Sequence, residues 1–463
     1  MVRAAAVLLV ALTLIGTAAA ATIRGTARND RINAVNGTRQ TVICGRGIDI
    51  VNVDLVDTVR ADCETVARRI ARDTTRVAGA QHASVAEPDS FSFGSTVVAT
   101  FQVGRFEDGG AGGIGWASSL DAGRTWRSGL LPGVTRASDP SIAYDATHRV
   151  WLAVTLGISG GVEPTSIDVN RSVDGRRWGP RLRPLVEEEE AFDKEWIACD
   201  NNATSPRRGT CYIVYTDIRT PGAEHIAATA STDGGVTWST PVPIGAPGPV
   251  VGAQPVSLPD GTLVVMWVRG NLAVAARSVD GGLTFGPTVT IAEIQFAGTR
   301  GLRAPALPSI ELTRGGQALL AWPDCRFRAD CSGNDIVISS TSDGLGWTPP
   351  TSITNGGGSY LLPGIAADSR SDGLAVVALV ELPNSDRLGA VLVVASNGVT
   401  WAAPRRLDAV SMDVEWLPRA GGGFLGDYLS ASWAGGRPIG VVPMTFAPNR
   451  SGLRQALYAG TIR

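Results

Sequence analysis

Chemistry in this chain would fall to polar residues that stand at the ends of apolar runs. Asp193-Lys194-Glu195 sets two carboxylates around an ammonium, and Asp427-Tyr428 pairs a carboxylate with a phenol. Arg105, Asp108, Asp139, Asp217, Arg303, Asp324 and Arg326 occupy comparable positions. Carboxylates accept and guanidinium forks donate in fixed, often bidentate geometry, so such a set suits an acidic or hydroxyl-rich ligand. Each residue also has a plainer role, because Asp and Arg at strand ends satisfy backbone groups or pair with each other. The acidic run 187–190 reads as a solvated loop, and His82, His148 and His225 stand apart without ligand spacing.

What must position these residues is a repeat. Residues 231–238 read STDGGVTW, 119–126 SLDAGRTW and 278–285 SVDGGLTF; shorter copies stand at 172–178 (SVDGRRW) and 341–347 (TSDGLGW), and a worn one at 395–401 (ASNGVTW). The short Asp can fold its carboxylate onto N–H groups of its own turn, Gly accepts positive φ, and the aromatic enters the next strand as an apolar anchor. A calcium loop is the other reading of Asp followed by Gly, but the further oxygens an EF-hand needs are absent. Each copy follows apolar segments of strand length, clearest at 96–103, 150–156, 262–268, 318–322 and 374–382. First segments of the units begin near Asp139, Gln254, Arg303 and Tyr360.

These stretches resemble the Asp-box, or BNR, repeat of the sialidase superfamily of β-propellers. The resemblance implies an all-β fold in which three strands, the box corner and a fourth strand make one four-stranded antiparallel blade. Boxes begin at 119, 172, 231, 278, 341 and 395, about 55 residues apart, so the stretch from about 80 to 463 holds close to seven units. Seven blades are expected, with six as the alternative. After the last box only three strands remain, near 425–433, 438–446 and 455–462, and a strand from near 76–86 would complete that blade and close the ring. In such a ring the first strands line a central channel, and the polar residues named above gather at one mouth.

The same resemblance implies roles. The segment 97–108 is similar to a family stretch that carries a Gly-Arg and the catalytic Asp, which makes Asp108 the acid-base candidate; Arg303 and Arg326 become clamp candidates and Tyr428 the nucleophile candidate. Arg105, Asp139, Asp193, Lys194, Glu195, Asp324 and Asp427 are expected to bind substrate. The Phe/Tyr-Arg-Ile-Pro motif that supplies the family's first clamp arginine has no counterpart, and residues 87–93 (EPDSFSF) stand in its place. Phe192-Asp-Lys-Glu-Trp196, Trp322-Pro-Asp-Cys-Arg326 and Gly426-Asp-Tyr428 look like motifs of a secreted bacterial BNR group without an assigned activity.

Residues 1–21 carry Arg3, an apolar run from 4 to 15 and small residues at 18–21, the pattern of a secretory signal peptide. The run is too short to span a bilayer, so export without a membrane anchor is expected. The six cysteines fall into close pairs, Cys44–Cys63, Cys199–Cys211 and Cys325–Cys331, read as disulfides, with free or metal-binding thiols as the alternative. Residues 22–75 are of another kind: glycine-aspartate-aliphatic steps through Asp30, Asp49, Asp54 and Asp57 resemble degenerate turns of the RTX nonapeptide repeat. That implies a small disulfide-clipped cap, with structural calcium on those four aspartates as an option and no other cofactor required. Residues 64–76 read as a short helix or linker, and the propeller is placed at 76–463. A formal charge of −2 in 463 residues gives no reason to expect nucleic acid, and a monomer is expected.

Two functions are carried forward. One is a glycan-directed propeller, either an exo-acting glycoside hydrolase or a carbohydrate-binding relative. The other is a non-catalytic scaffold that binds protein or cell-wall partners through the same mouth.

Overall fold

The structure, a computed structural model, describes residues 20–159, 161, 164–187 and 191–463. The expected signal peptide lies almost wholly outside the described residues, as do three of the four glutamates of the run 187–190. The described chain is all-β apart from two 3-10 turns, Ala329–Cys331 and Val414–Trp416, and no helix in it is long and apolar enough to cross a membrane.

Each polar corner is built as its spacing predicts. Asp233 Oδ1 accepts from Val236 N and Thr237 N, both at 3.0 Å; Thr237 Oγ1 donates to Oδ2 at 2.6 Å, and Gly235 N donates to Ser231 Oγ at 2.9 Å. The corners at Asp121, Asp280 and Asp343 repeat the pattern, and at 397 an Asn side chain substitutes for the carboxylate. Gly235 has φ of 78° and faces the preceding sheet: a Cβ there would lie 2.7 Å from Leu152 Cδ2. At Gly123, in the first corner, the neighbour so met is Ile439, from the last sheet of the chain. The glycines of these two corners therefore pack against the neighbouring sheet, that of the first corner against the last sheet of the chain.

Seven antiparallel meanders of four strands follow. Their first strands are Gln81–Phe93, Ala137–Asp145, Phe192–Cys199, Val250–Ser257, Ser309–Leu312, Ser359–Ala367 and Ser430–Ala434. These strands contact one another in that order, and the seventh contacts the first. The core is accordingly a series of apolar layers between neighbouring meanders: Leu152 with Ile213, Val214 with Val265, Leu320 with Val264, and Val97 with Ile439 across the closure. Trp267 and Trp322 are fully buried in two of these layers. A buried residue of that size contributes a few kcal/mol, so the layers and not the turns hold the sheets together.

Two expectations change. The strand that completes the seventh meander is Thr65–Ala71, antiparallel to Gln455–Ile462, and not one from 76–86; of residues 64–76, 65–71 are therefore strand and not helix, and 72–76 connect it to the next meander. Gln81–Phe93 instead opens the first meander. The segment 22–75 thus contributes one strand to the last meander. On its other edge Thr65–Ala71 pairs in parallel with Ile50–Val53, which pairs with Arg31–Asn33, while Ala21–Arg24, Gln40–Ile43 and Thr58–Val59 form a second parallel sheet. The N-terminal strands are therefore stacked turns that grow out of the last meander, and Asn52 locks them there by donating to Leu407 O at 3.1 Å and accepting from Ala409 N at 2.7 Å. The three disulfides join Cys44 to Cys63, Cys199 to Cys211 and Cys325 to Cys331.

Candidate functional site

A β-bulge recurs near the same point of five first strands, where the register slips and one residue takes positive φ. The residues are Glu87 (49°), Asp139 (45°), Lys194 (49°), Gly252 (71°) and Leu362 (51°). A bulge re-aims the side chain of its odd residue. In the first three meanders that residue is charged, and the three converge.

Lys194 Nζ lies 3.1 Å from Glu87 Oε1, 3.5 Å from Asp139 Oδ1 and 2.8 Å from Asp427 Oδ2. Asp427 comes from the segment before the seventh first strand and is gripped bidentately by Arg303, with Nε at 3.0 Å and Nη2 at 2.5 Å. Asp427 N donates to Glu87 Oε1 at 3.3 Å. Gln102 Nε2 donates to Glu87 Oε2, and Arg105 Nη1 donates to Gln102 Oε1 at 2.9 Å. Arg105 and Arg303 sit over the buried Phe424 ring, 4.8 and 5.0 Å from its centroid. Trp196 meets Tyr428 edge-on at 5.0 Å, and the Tyr428 hydroxyl donates to Pro140 O at 3.2 Å. The carboxylates are nearly sealed, Glu87 being 1% exposed, whereas the Arg303 side chain is 40% exposed and forms the open side.

The electrostatics split the carboxyls. Burial pushes Glu87 up to about 8 despite Lys194 beside it. Burial would also raise Asp427, but Lys194 and Arg303 pull it down to about 2. Asp139, buried as well, is drawn below its ordinary value by Lys194 and by hydrogen bonds from Glu87 and Ser138. Burial works against the Lys194 ammonium, yet Asp139, Asp427 and Glu87 outweigh it and hold the amine well above its usual value. At neutral pH the cluster therefore contains a protonated Glu87 beside two ionised aspartates and a charged lysine. Burial also lifts Glu195, whose two oxygens have no hydrogen-bond partner, and the Tyr428 phenol, which stays a neutral donor.

Of the residues expected at the mouth, Arg105, Asp139, Lys194, Glu195, Arg303, Asp427 and Tyr428 come together. Asp108 does not: it is 60% exposed in the loop after the second strand and pairs with Arg136 at 2.8 Å. Asp324 and Arg326 clip each other, with Trp322 Nε1 donating to Asp324 Oδ2 at 2.8 Å, and Asp217 is clipped in the same way by Arg219. Asp193 lines a separate cavity of about 400 Å³ with Glu224. Glu87, Gln102 and Phe424 belong to the cluster and were not anticipated. The repeat itself carried a signal for Glu87, which stands 52 residues before Asp139 as Asp139 stands 55 before Lys194.

The four aspartates of the N-terminal turns are engaged largely by backbone amides. Asp49 Oδ1 accepts from Asp30 N at 2.7 Å and Asp30 Oδ2 from Thr26 N at 2.5 Å. Asp54 Oδ2 accepts from Asn36 N and Gly37 N while its Oδ1 pairs with Arg69, and Asp57 takes Gln40 N and Asp54 N. Most of their oxygens serve the backbone of neighbouring turns, Asp49 Oδ2 has no hydrogen-bond partner, and among the described residues no three acidic, His or Cys side chains are grouped to hold a metal.

No protein-family model matches the chain, and no curated protein does. Among solved structures it is similar to a protein of unknown function from Dyadobacter fermentans DSM 18053, at 18% identity over 70% of this chain and 98% of that one, with a TM-score of 0.49. It is also similar to the Hadza microbial sialidase Hz136, at 17% over 67% and 66% with a TM-score of 0.47. The intramolecular trans-sialidase from Ruminococcus gnavus is similar at 14% over 66% and 92%, again with a TM-score of 0.47. Likenesses of this strength carry nothing about activity, and the functional reading rests on the cluster.

Proposed function

We propose that the chain is an exported, seven-bladed β-propeller of the sialidase superfamily, each meander one blade, and that its mouth takes a hydroxyl-rich ligand, a glycan. One observation carries this reading: three strained bulge residues from three different meanders, together with Asp427, crowd buried charge onto one point where the meanders meet. Positive φ costs about 1 to 3 kcal/mol at each such residue, and burying an ion pair rarely repays its desolvation. Neither feature serves packing. Both serve a preorganised set of acceptors and donors with one open edge at Arg303. The three disulfides and the N-terminal leader support export.

The absent Phe/Tyr-Arg-Ile-Pro arginine and the commitment of Arg303 to Asp427 argue against a clamp for a sialic acid carboxylate at this point. A glycan array probed with wild-type protein and Arg303→Ala tests the reading: saccharide binding that the substitution abolishes supports it, and an empty array contradicts it. A second reading, glycoside hydrolysis, is favoured by the split carboxyls. Glu87 holds a proton while Asp139 and Asp427 do not, the arrangement from which acid and base roles arise. Turnover of a fluorogenic glycoside panel, lost in Glu87→Gln, would establish it; no turnover leaves a binding propeller.

A further inference from the structure

A second polar cavity, of about 560 Å³, opens between the fifth and sixth meanders, and its lining includes Arg300, Ser332, Ser359, Glu381 and Asn384. Its size is that of a small-molecule site. Its walls are braced. Arg328 grips Asp335 with Nε at 2.9 Å and Nη2 at 2.5 Å and donates to Gly358 O at 2.6 Å, and the Cys325–Cys331 disulfide ties the loop that forms one side.

The cation that faces this space lacks the carboxylate partner that most cations near the mouth have. Lys194 and Arg303 are spent on Asp427, Arg326 on Asp324 and Arg328 on Asp335. Arg300 is exposed, its guanidinium donates only to Leu382 O at 3.3 Å, and no carboxylate among the described residues pairs with it. Its backbone is fixed, because Arg300 N donates to Glu381 Oε1 at 2.9 Å and Gly423 N to Gly301 O at 2.9 Å. Arg300 and Arg303 lie three residues apart on one segment, at most about 11 Å between Cα atoms. The segment therefore walls the central cluster on one side and this cavity on the other.

On the reading that the mouth takes a glycan, we propose that this cavity is a distal subsite for an acidic saccharide unit, its anion on Arg300 and its hydroxyls on Glu381, Ser359 and Asn384. The ligand is then an anionic chain that runs from the central cluster across Arg303, and not a single sugar.

Calorimetric titration with neutral, uronate-bearing and sulfated trisaccharides tests this on wild type, Arg300→Gln and Arg303→Ala. Arg300 is exposed, so the glutamine variant should melt with wild type. Wild type should prefer an acidic trisaccharide, and Arg300→Gln should lose about tenfold to a hundredfold on it while keeping its affinity for the neutral one. The uronate and sulfate arms distinguish the source of the charge. Equal affinity for neutral and acidic chains, unchanged in Arg300→Gln but lost in Arg303→Ala, overturns the subsite and leaves the mouth reading intact. Binding of no trisaccharide overturns both.

Discussion

Replacing Lys194 by methionine isolates the interaction on which the cluster depends. The ammonium lies within 3.5 Å of carboxylate oxygens from Glu87, Asp139 and Asp427. Glu87 is already protonated at neutral pH, and Asp427 keeps Arg303. Asp139 is the group stranded. It would retain Ser138 Oγ at 2.8 Å and the amide of residue 194 at 3.3 Å, but no cation. Removing one partner of a buried pair costs about 3 to 5 kcal/mol.

The pH dependence gives the reasoning a second test. In wild type the lowered values of Asp139 and Asp427 contribute stability that is present above the ordinary aspartate range and lost as pH falls through it. Without Lys194, burial becomes the ruling influence on Asp139 and raises it, so the variant takes up a proton and recovers stability on acidification. Urea denaturation should therefore show the full deficit at about pH 8 and a clearly smaller one at about pH 5, with m unchanged. The double variant Lys194→Met/Asp139→Asn should be more stable at about pH 8 than Lys194→Met alone. A deficit below about 1 kcal/mol, the range of exposed pairs, or one identical at the two pH values would refute the argument.

Three further outcomes follow. Burial raises Asp89 to about 6 and Glu311 to about 7. Their contribution is whole below about pH 4 and is lost as pH rises through those values, about 3 kcal/mol for Asp89; Asp89→Asn should flatten that slope in pH-dependent denaturation. Asp233→Ala removes the acceptor for two backbone amides and two hydroxyls, and a loss of about 1.5 to 3 kcal/mol is expected from the urea midpoint. In the N-terminal turns, replacing both Cys44 and Cys63 by alanine should cost about 3 kcal/mol, whereas a calcium chelator should leave the melting temperature unchanged because the aspartates already serve backbone amides; a chelator-induced drop would contradict that assignment.

Sequence read well where the physics is local. The corner at 231–238 closes on its own atoms, so its residue spacing announces it, and second strands such as Leu374–Glu381 announce themselves as unbroken apolar runs between two sheets. It read poorly where a partner is distant. Thr65–Ala71 reads as helix or linker because its pairing partner, Gln455–Ile462, lies nearly 400 residues away. The site divides in the same way. Asp139, Lys194, Arg303 and Asp427 were visible as polar residues at strand ends. Glu87 is marked only by the repeat spacing, because its place in the cluster is set by a left-handed φ of 49° that nothing in Glu-Pro-Asp requires. Asp108, chosen by likeness to a family segment, sits on a loop whose course the segment does not determine, and it found Arg136 instead.

The most direct test of the central claim is an experimental structure with a saccharide hit from the array bound. Ligand hydroxyls within hydrogen-bond distance of Arg303 and of the Lys194, Glu87 and Asp139 cluster are predicted. A saccharide seated on the turn face of the ring, or anywhere that leaves this cluster untouched, would contradict the account.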